Sequence, residues 1–421
     1  MNKHRKFFIV LTLAAAATAQ GQFCKSAHAI ADTWRAISAA SNNWDSPGAW
    51  HGNNPPQDGD DLYFNGGGFS VSNNNLSGLS VNIISFRGAY TLTGNELTLN
   101  SGLYIQPSSS GVVDTIKLGG IDGEYIQFDT PATVVFGGAG NTFSFDADTG
   151  LWAQGQTGTV TIDAGNNNLE FSGGAYIGTN QPSNKVTVNF AGGSEGTISF
   201  DDVVHLQKYC TINFTGAQSS ALTGGIIGAG NIIQSGSGTT TLSGDNEYSG
   251  TTTISSGVLD VTGNMTTSAI KVDGGTLAGP GGSVGSVTMD AGAITAHDAN
   301  NATGTLTISS LTTNGGTLEF NLGAGSADVI KVSETANIGS STKLNFNFKG
   351  AVPASGEGEN VAILMAKNLQ NNLPGFKDSV AAPLIGLGLV ITPYIGGGKP
   401  VGDENPGTDP NTIYLYVSGN K

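Results

Sequence analysis

The chain has 421 residues, of which 64 are glycine and 14 are proline, and only 12% are charged, with a net charge of −15. The glycines follow no G-X-Y period, which excludes collagen, and a glycine inside a helix costs about 1 kcal/mol relative to alanine. A hydrophobic fraction of 38% with so little charge argues against disorder. The composition therefore predicts a long all-β fold, and the acidic charge excludes nucleic acid and anionic membrane surfaces as favourable partners.

Residues 1–29 have the pattern of a secretory signal peptide, with a basic start followed by an apolar run over residues 7–19. This run is too short to span a bilayer. Two cleavage sites remain open, one after Ala19 and one after Ala29. No later segment has the ~20 continuous apolar residues of a membrane helix, so we expect an exported, soluble protein without an integral membrane span.

The chain has two cysteines, Cys24 and Cys210, which are too few for a disulfide scaffold. Cleavage after Ala29 would leave Cys210 alone, whereas cleavage after Ala19 would keep both. Cys210 is predicted to be a small, buried strand residue.

From residue 66 onward, short runs of β-forming residues are separated by Gly, Asn, Ser or Asp. Several runs alternate apolar and polar residues, as half-buried strands do. Such strands with turn signals between them indicate a sandwich, a barrel or a solenoid, and the length without an internal linker favours the solenoid. The predicted strands include residues 80–84, 96–99, 159–162, 185–190 and 196–200.

Internal repetition favours the same fold. The run at 273–277 recurs at 314–318, 41 residues later, which corresponds to two coils of about 20 residues. We predict a right-handed parallel β-helix in which like aliphatic residues stack in successive coils, while Gly and Asn form the corners. The division we expect is an N-terminal capping segment at 30–65, a solenoid at 66–350 and a C-terminal capping region at 351–421.

Residues 234–261 read QSGSGTTTLSGDNEYSGTTTISSGVLDV. This segment closely resembles the autotransporter-associated β-strand repeat of bacterial autotransporter passenger domains. The matching positions are Gly238, Thr241, Leu242, Gly244, Asn246, Tyr248, Gly250, Thr252, Thr253, Gly257 and Leu259.

The resemblance implies an exported solenoid of the cell surface or the extracellular space that acts as a stalk, adhesin or interaction scaffold, with a glycan or a protein surface as its partner. Two departures are visible. Residues 297–302 stand where such passengers often have a Pro-Gly-rich turn. The segment 360–421 lacks the repeated amphipathic strands of an autotransporter's C-terminal translocator, so another secretion route, retention in the periplasm, or a truncated or divergent autotransporter is expected.

The alternative function is a β-helix carbohydrate-active enzyme, a polysaccharide hydrolase or lyase. Its candidate catalytic residues are Asp201, Asp202 and His205, because paired carboxylates can act as acid and base across a glycosidic bond. Adjacent residues on a strand point to opposite faces, so the pair can act together only if a bend intervenes. A solvated turn is the favoured interpretation.

Metal and cofactor sites are not expected. Asp146 and Asp148 resemble the start of a calcium loop, but no distal Glu and no further ligand follow, which favours a turn. His51, His205 and His297 lie on unrelated segments without zinc-ligand spacing, and we expect each to be a surface or turn residue.

Three of the four tryptophans, Trp34, Trp44 and Trp50, fall in the N-terminal segment. They could stack on sugar rings. The favoured interpretation is that they cap the open end of the solenoid, because an unpaired terminal coil exposes core and strand edge.

Overall fold

The structure is a computed structural model. Its described residues form 36 β-strands and one short 3-10 helix, Pro47–Ala49. Among these residues, no helix is long and apolar enough to cross a membrane. The predicted signal peptide at 1–29 lies outside the described residues. The structure describes residues 31–33, 42–50, 53–65, 71–107, 111–147, 149–153, 157–179, 181–297, 303–323, 326–348, 358–371, 389–395 and 411–419.

The strands wind into coils with three faces, and the strands of each face pair in parallel with those of the neighbouring coils. Ile83–Phe86 lies on face 1, and Thr91–Gly94 follows on face 2. Leu97–Ile105 then begins on face 3 and ends on face 1 of the next coil, because its first residues pair with 121–123 and its last with 125–128. The predicted all-β parallel solenoid is confirmed.

Each face contains strands, or parts of long strands, from successive coils. Face 1 comprises Ala31–Thr33, Asp61–Phe64, Ile83–Phe86, the second part of Leu97–Ile105 and of Gly120–Phe128, Thr149–Ala153, Gly174–Ile177, Val204–Leu206, Ile226–Gly228, Asn264–Met265 and the first part of Ser283–Thr295, of Thr305–Thr313, of Val329–Ile338 and of Gly358–Asn371. Face 2 comprises Val71–Asn74, Thr91–Gly94, Val112–Leu118, Ala132–Phe136, Gly158–Asp163, Val186–Ala191, Thr211–Phe214, Asn231–Gln234, Thr251–Ile254, the first part of Ala269–Ala278 and later parts of Ser283–Thr295, Thr305–Thr313, Val329–Ile338 and Gly358–Asn371. Face 3 comprises Ser80–Val81, the first part of Leu97–Ile105 and of Gly120–Phe128, Ala139–Phe145, Asn166–Phe171, Thr197–Phe200, Ser219–Leu222, Thr239–Leu242, Val258–Val261, the end of Ala269–Ala278 and of Ser283–Thr295, Thr317–Gly323 and Lys343–Phe348.

The repeat found in the sequence corresponds to two coils. Leu277 pairs with Ile294, 17 residues later, and Ile294 pairs with Leu318 after a further 24 residues. The 41-residue spacing is therefore two unequal turns of the solenoid, and the prediction is confirmed.

The core runs along the whole coil axis as columns of inward side chains. One column of face 3 has twelve successive members, and it contains only apolar residues except at two adjacent positions, Ser220 and Thr240. Thr240 lies within the repeat segment, and Ser220 lies in the coil before it. The stacking of like aliphatics is therefore confirmed with a polar interruption. The column consists of Leu97, Ile121, Phe143, Leu169, Ile198, Ser220, Thr240, Leu259, Leu277, Ile294, Leu318 and Leu344.

Glycine is required where the corners of successive coils lie directly on one another. Gly257 has φ +59°, and a Cβ built on it would lie 2.3 Å from the carbonyl oxygen of Gly236. A Cβ on Gly236 would in turn lie 2.1 Å from the carbonyl oxygen of Gly216. Backbone packs on backbone at this corner, so side chains are excluded.

Most predicted strands lie within one or two residues of the observed ones. The predicted strand 80–84 is instead divided at Asn82, whose backbone N–H donates to the carbonyl of Asp60 at 2.8 Å and so turns the chain between faces. Cys210 is fully buried as predicted, but it precedes the strand Thr211–Phe214 rather than lying in it.

The N-terminal end of the solenoid is closed by aromatic side chains. Trp44 and Trp50 are fully buried, with ring centroids 6.4 and 6.2 Å from that of Phe64 in an early coil. Trp44 Nε1 donates to Ser72 Oγ at 2.6 Å. These contacts favour the capping interpretation over sugar stacking for these two residues, whereas Trp34 lies outside the described residues.

At the C-terminal end the pairing changes from parallel to antiparallel. The first part of Gly358–Asn371 pairs antiparallel with Thr412–Gly419, which also pairs antiparallel with Leu389–Ile395. A short antiparallel pair also joins Ser326–Ala327 to the end of Thr317–Gly323. The domain boundaries at residues 65 and 350 stay predictions.

Candidate interaction surface

Polar residues, many of them small, predominate on the outer surface of faces 2 and 3, although Val71 and Val113 of face 2 are also exposed. Thr161, Asn189 and Asn213 form one outward row of face 2. On face 3, Ser144 and Glu170 are partners in an outward row. Threonine and its neighbours suit a solvated β-surface, so these two faces follow the composition of the chain.

Face 1 differs, because rings dominate its outer surface in the N-terminal coils. We define the aromatic strip as Tyr104, Tyr125, Trp152, Tyr176 and His205, all of which are partly exposed. No described outward position on the strands of faces 2 and 3 bears an aromatic ring. Four of these residues belong to one row of partners in successive coils, which from Tyr63 onward consists of Tyr63, Ser85, Tyr104, Gln127, Trp152, Tyr176, His205 and Ile227.

Three rings of the strip overlap in sequence along the coil axis. The ring centroids of Trp152 and Tyr176 are 5.8 Å apart with 15° between the planes. Those of Tyr176 and His205 are 5.0 Å apart with 14° between the planes. Since stacked carbon atoms meet at about 3.5–4.0 Å, near-parallel rings with these centroid distances must be displaced sideways. Each ring therefore covers only part of its neighbour's face, and the remainder is left uncovered by the adjoining ring.

Tyr125 extends the strip sideways. It lies opposite Gly102, and a Cβ on Gly102 would lie 2.6 Å from the Tyr125 ring. The glycine therefore makes room for the ring, which meets Tyr104 edge-on at 5.5 Å between centroids. The two hydroxyls form a short hydrogen bond, and burial together with this bond raises the pKa of Tyr104, so its phenol stays protonated.

Amide and carboxylate groups border the rings. Gln127 Nε2 donates to Asp129 Oδ1 at 2.6 Å, and Gln106 Nε2 donates to the other carboxylate oxygen. Gln106 also accepts a hydrogen bond from Ser85 Oγ at 3.3 Å. The strip therefore combines ring surfaces with a row of hydrogen-bonding groups.

The members of the predicted catalytic group lie on two different elements, a bend and the strand that follows it. Asp201 and Asp202 are exposed in the bend between Thr197–Phe200 and Val204–Leu206, and Asp202 Oδ1 accepts the backbone N–H of Val203 at 2.7 Å. The bend that joint action requires is present. His205 is instead part of the aromatic strip through its contact with Tyr176, and a catalytic role for these residues stays a prediction.

The other sequence candidates give no cluster of ligands. Asp146 is exposed, and its backbone N–H bonds to the carbonyl of Gly123 at 2.9 Å, whereas Asp148 and His51 lie outside the described residues. In the part of the chain that the structure describes, no group of three or more His, Cys, Asp or Glu side chains could hold a metal ion.

His297 was predicted to be a surface or turn residue, but its side chain is buried, so the predicted surface position is wrong. The residue is 8% exposed, and its Nδ1 lies 2.5 Å from Asp328 Oδ2 and 2.5 Å from Thr295 Oγ1. Asp328 also accepts backbone N–H groups of Gly304 and Asn321 at 2.8 and 2.7 Å. A hydrolytic triad needs the hydroxyl and the carboxylate on opposite ring nitrogens, and here both meet Nδ1. The group ties neighbouring coils together instead.

The repeat segment has a different interior from the coils before it. Tyr248 is fully buried, and its hydroxyl bonds to Thr252 and contacts Met265 Sδ at 3.1 Å. Gln234 Nε2 donates to two corner carbonyls at 3.1 Å, and its Oε1 accepts from Thr240 Oγ1 at 2.8 Å. Several of the motif residues named above therefore have structural roles in the corners and core of the solenoid.

Comparison with known proteins agrees with this geometry. Residues 232–261 match the family model of the Passenger-associated-transport-repeat. This repeat, together with the stacked parallel coils, fits a passenger domain of an autotransporter. A stretch of 109 residues is 38% identical to a protein of Brucella suis biovar 1 (strain 1330) described as adhesin BmaC autotransporter, and covers 24% of this chain and 3% of that relative. This chain thus spans only a small part of the relative it matches.

The aromatic strip was not predicted from the sequence. A usable signal was present, because Leu151-Trp152-Ala153, Ala175-Tyr176-Ile177 and Val204-His205-Leu206 share an apolar–ring–apolar pattern. The coils here have unequal lengths, 24 residues from Trp152 to Tyr176 and 29 from Tyr176 to His205. Without a constant period, the three rings do not fall into one column until the coils are aligned in space.

Proposed function

We propose that this protein is an exported, passenger-like β-solenoid that acts at the cell surface or in the extracellular space as a stalk, adhesin or interaction scaffold. The observation that carries the proposal is the parallel stacking of coils from Asp61–Phe64 to Lys343–Phe348. Coils of this kind present long rows of outward side chains at a spacing of about 4.8 Å, which suits contact with extended ligands. The transport repeat and the similarity to an adhesin support a role outside the cell.

The first test is location and accessibility. Producing cells and culture medium are fractionated, and an antibody against residues 230–340 detects the protein in each fraction by blotting. In a parallel sample, intact cells are treated with protease before blotting. We expect the antigen on protease-accessible surfaces or in the medium. Retention in the cytoplasm would contradict the proposal.

The second test is adhesion. A strain lacking the gene, the same strain complemented with the full gene, and the parent strain are compared for attachment to glycan-coated, protein-coated and bare surfaces. We expect the deletion to reduce attachment to at least one surface and the full gene to restore it. Unchanged attachment on every surface would argue against the adhesive role.

A further inference from the structure

We propose that the aromatic strip on face 1 binds a neutral polysaccharide chain lying along the axis of the solenoid. This inference rests on the proposed function and assigns its ligand class and its surface. Three observations carry it: where the rings occur, how they are tilted, and which charges surround them.

The position of the rings argues for a ligand rather than for packing alone. In the same coils, the outward rows of face 2 use Thr161, Asn189 and Asn213, so the solenoid forms without rings at outward positions. Leaving aromatic surface partly exposed in successive coils of one face forms an apolar patch of the kind that marks binding sites. The aromatic strip from Tyr104 to His205 extends over four coil steps, about 19 Å at the usual strand spacing.

The tilt of the rings suits a sugar. Trp152, Tyr176 and His205 are partly exposed, and the offset between neighbouring rings leaves part of each ring face uncovered by the next ring. A pyranose presents a face of C–H groups and a rim of hydroxyls. The face can lie on the exposed ring surfaces, and the hydroxyls can bond to the bordering amides of Gln106 and Gln127. Rings with a polar tip favour such contacts, in which one side is apolar and the other is wet.

The charges favour a neutral polymer. Between Tyr104 and His205, no described outward residue of face 1 is Lys or Arg, and the chain has a net charge of −15. An anionic polysaccharide or a nucleic acid would be repelled without compensation. The strip is also only one to two residues wide, whereas a stable protein partner needs about 800 Å² of surface on each side. A linear polymer without charge fits both limits.

The test is affinity electrophoresis of the full exported chain in native gels that contain hydroxyethyl cellulose or dextran as neutral polymers, or alginate as an anionic one. The test variant is Trp152→Thr, Tyr176→Thr and His205→Thr together, which introduces a residue that the other faces tolerate. The matched control is Thr161→Ser, Asn189→Ser and Asn213→Ser on face 2 of neighbouring coils. We expect a neutral polymer to retard the wild type and the control, and the apparent affinity of the test variant to fall about tenfold or more.

A second measurement distinguishes loss of the binding surface from misfolding of the triple variant. Trp44 and Trp50 are buried and Trp152 is partly exposed, so the bound polymer should change the fluorescence of the wild type, and Trp152→Phe should remove most of that change while retaining retardation. Three results would overturn the assignment of the strip. They are equal retardation of the wild type and the triple variant, retardation by alginate alone, and binding to protein-coated surfaces without binding to any neutral polymer. Those results would leave the adhesion tests above unaffected. Loss of adhesion in the triple variant together with loss of polymer binding would support both.

Discussion

The N-terminal coils and the repeat coils share one backbone design but differ inside and outside. In the coils up to residue 228, inward rings stack, as Phe145, Phe171 and Phe200 do with centroids 5.5 and 4.7 Å apart. The next members of that column are Leu222 and Leu242. In these columns the repeat coils have an aliphatic residue or a hydrogen-bonded polar group instead of a ring, and Tyr248 is buried elsewhere in their interior. The described outward positions of the repeat coils lack the aromatic strip.

The coil geometry controls inward and corner positions but leaves outward positions free. Both regions need apolar columns and corner glycines, since coils one strand spacing apart leave no other choice. Outward positions face water in both regions, and the geometry imposes no residue type there. A ligand-binding surface can therefore be confined to one face of one region without any change in the fold.

The largest expected effect concerns a buried acid of the N-terminal coils. Asp114 is fully buried; its Oδ1 accepts the backbone N–H of Tyr90 at 2.9 Å, and its Oδ2 has no hydrogen-bond partner. Burial raises the pKa of Asp114 from 3.8 to about 7. The folded state therefore keeps a proton that the unfolded chain loses near pH 4. This difference lowers the free energy of unfolding as the pH rises. The loss is absent below about pH 4 and reaches about 4 kcal/mol above pH 7.

Urea unfolding of the wild type and of Asp114→Asn at pH 4 and pH 8 measures this effect. We expect the wild type to lose about 4 kcal/mol more than the variant between the two values. A parallel pH dependence in the two proteins would mean that Asp114 does not titrate between them. The buried polar groups of the repeat coils, such as Gln234 and Thr240, carry no charge and should add no such dependence.

The next effect tests the corners of the repeat coils. Gly257→Ala would place a Cβ 2.3 Å from the carbonyl oxygen of Gly236, whereas at Gly281, with φ +85°, a Cβ meets nothing within 4 Å. Both substitutions strain a left-handed backbone by about 1–2 kcal/mol, but only the first also forces coils apart, at a further cost of about 2 kcal/mol. Denaturant unfolding of Gly257→Ala and Gly281→Ala separates the two terms, and equal losses would show that the corners are not tightly packed.

The smallest effect compares the same change inside the repeat and on the strip. Tyr248→Phe removes a buried hydroxyl that bonds to Thr252, at a cost of about 1–2 kcal/mol. Tyr176→Phe alters an outward ring and should cost no more than about 0.5 kcal/mol. The free energy of unfolding measured for both variants checks this order, and a larger loss for Tyr176→Phe would mean that the strip contributes chiefly to stability.

Several features were predictable from local sequence alone. Alternation of apolar and polar residues places strands such as Val186–Ala191, and glycine at recurrent corners identifies a solenoid, because both patterns come from steric and burial rules that act within a few residues. The split strand at Asn82 was not predictable, since the bend depends on a hydrogen bond to Asp60 in the preceding coil.

The all-β class, the parallel coils and the transport repeat follow from the amino-acid sequence alone. The apolar period, the glycine corners and the dense motif that indicate them each lie within short stretches of consecutive residues. By contrast, the common surface of Trp152, Tyr176 and His205 and the burial of His297 against Asp328 become visible only in the folded chain. Coils of unequal length bring residues 24 to 31 positions apart into contact, and that alignment depends on how every intervening corner turns.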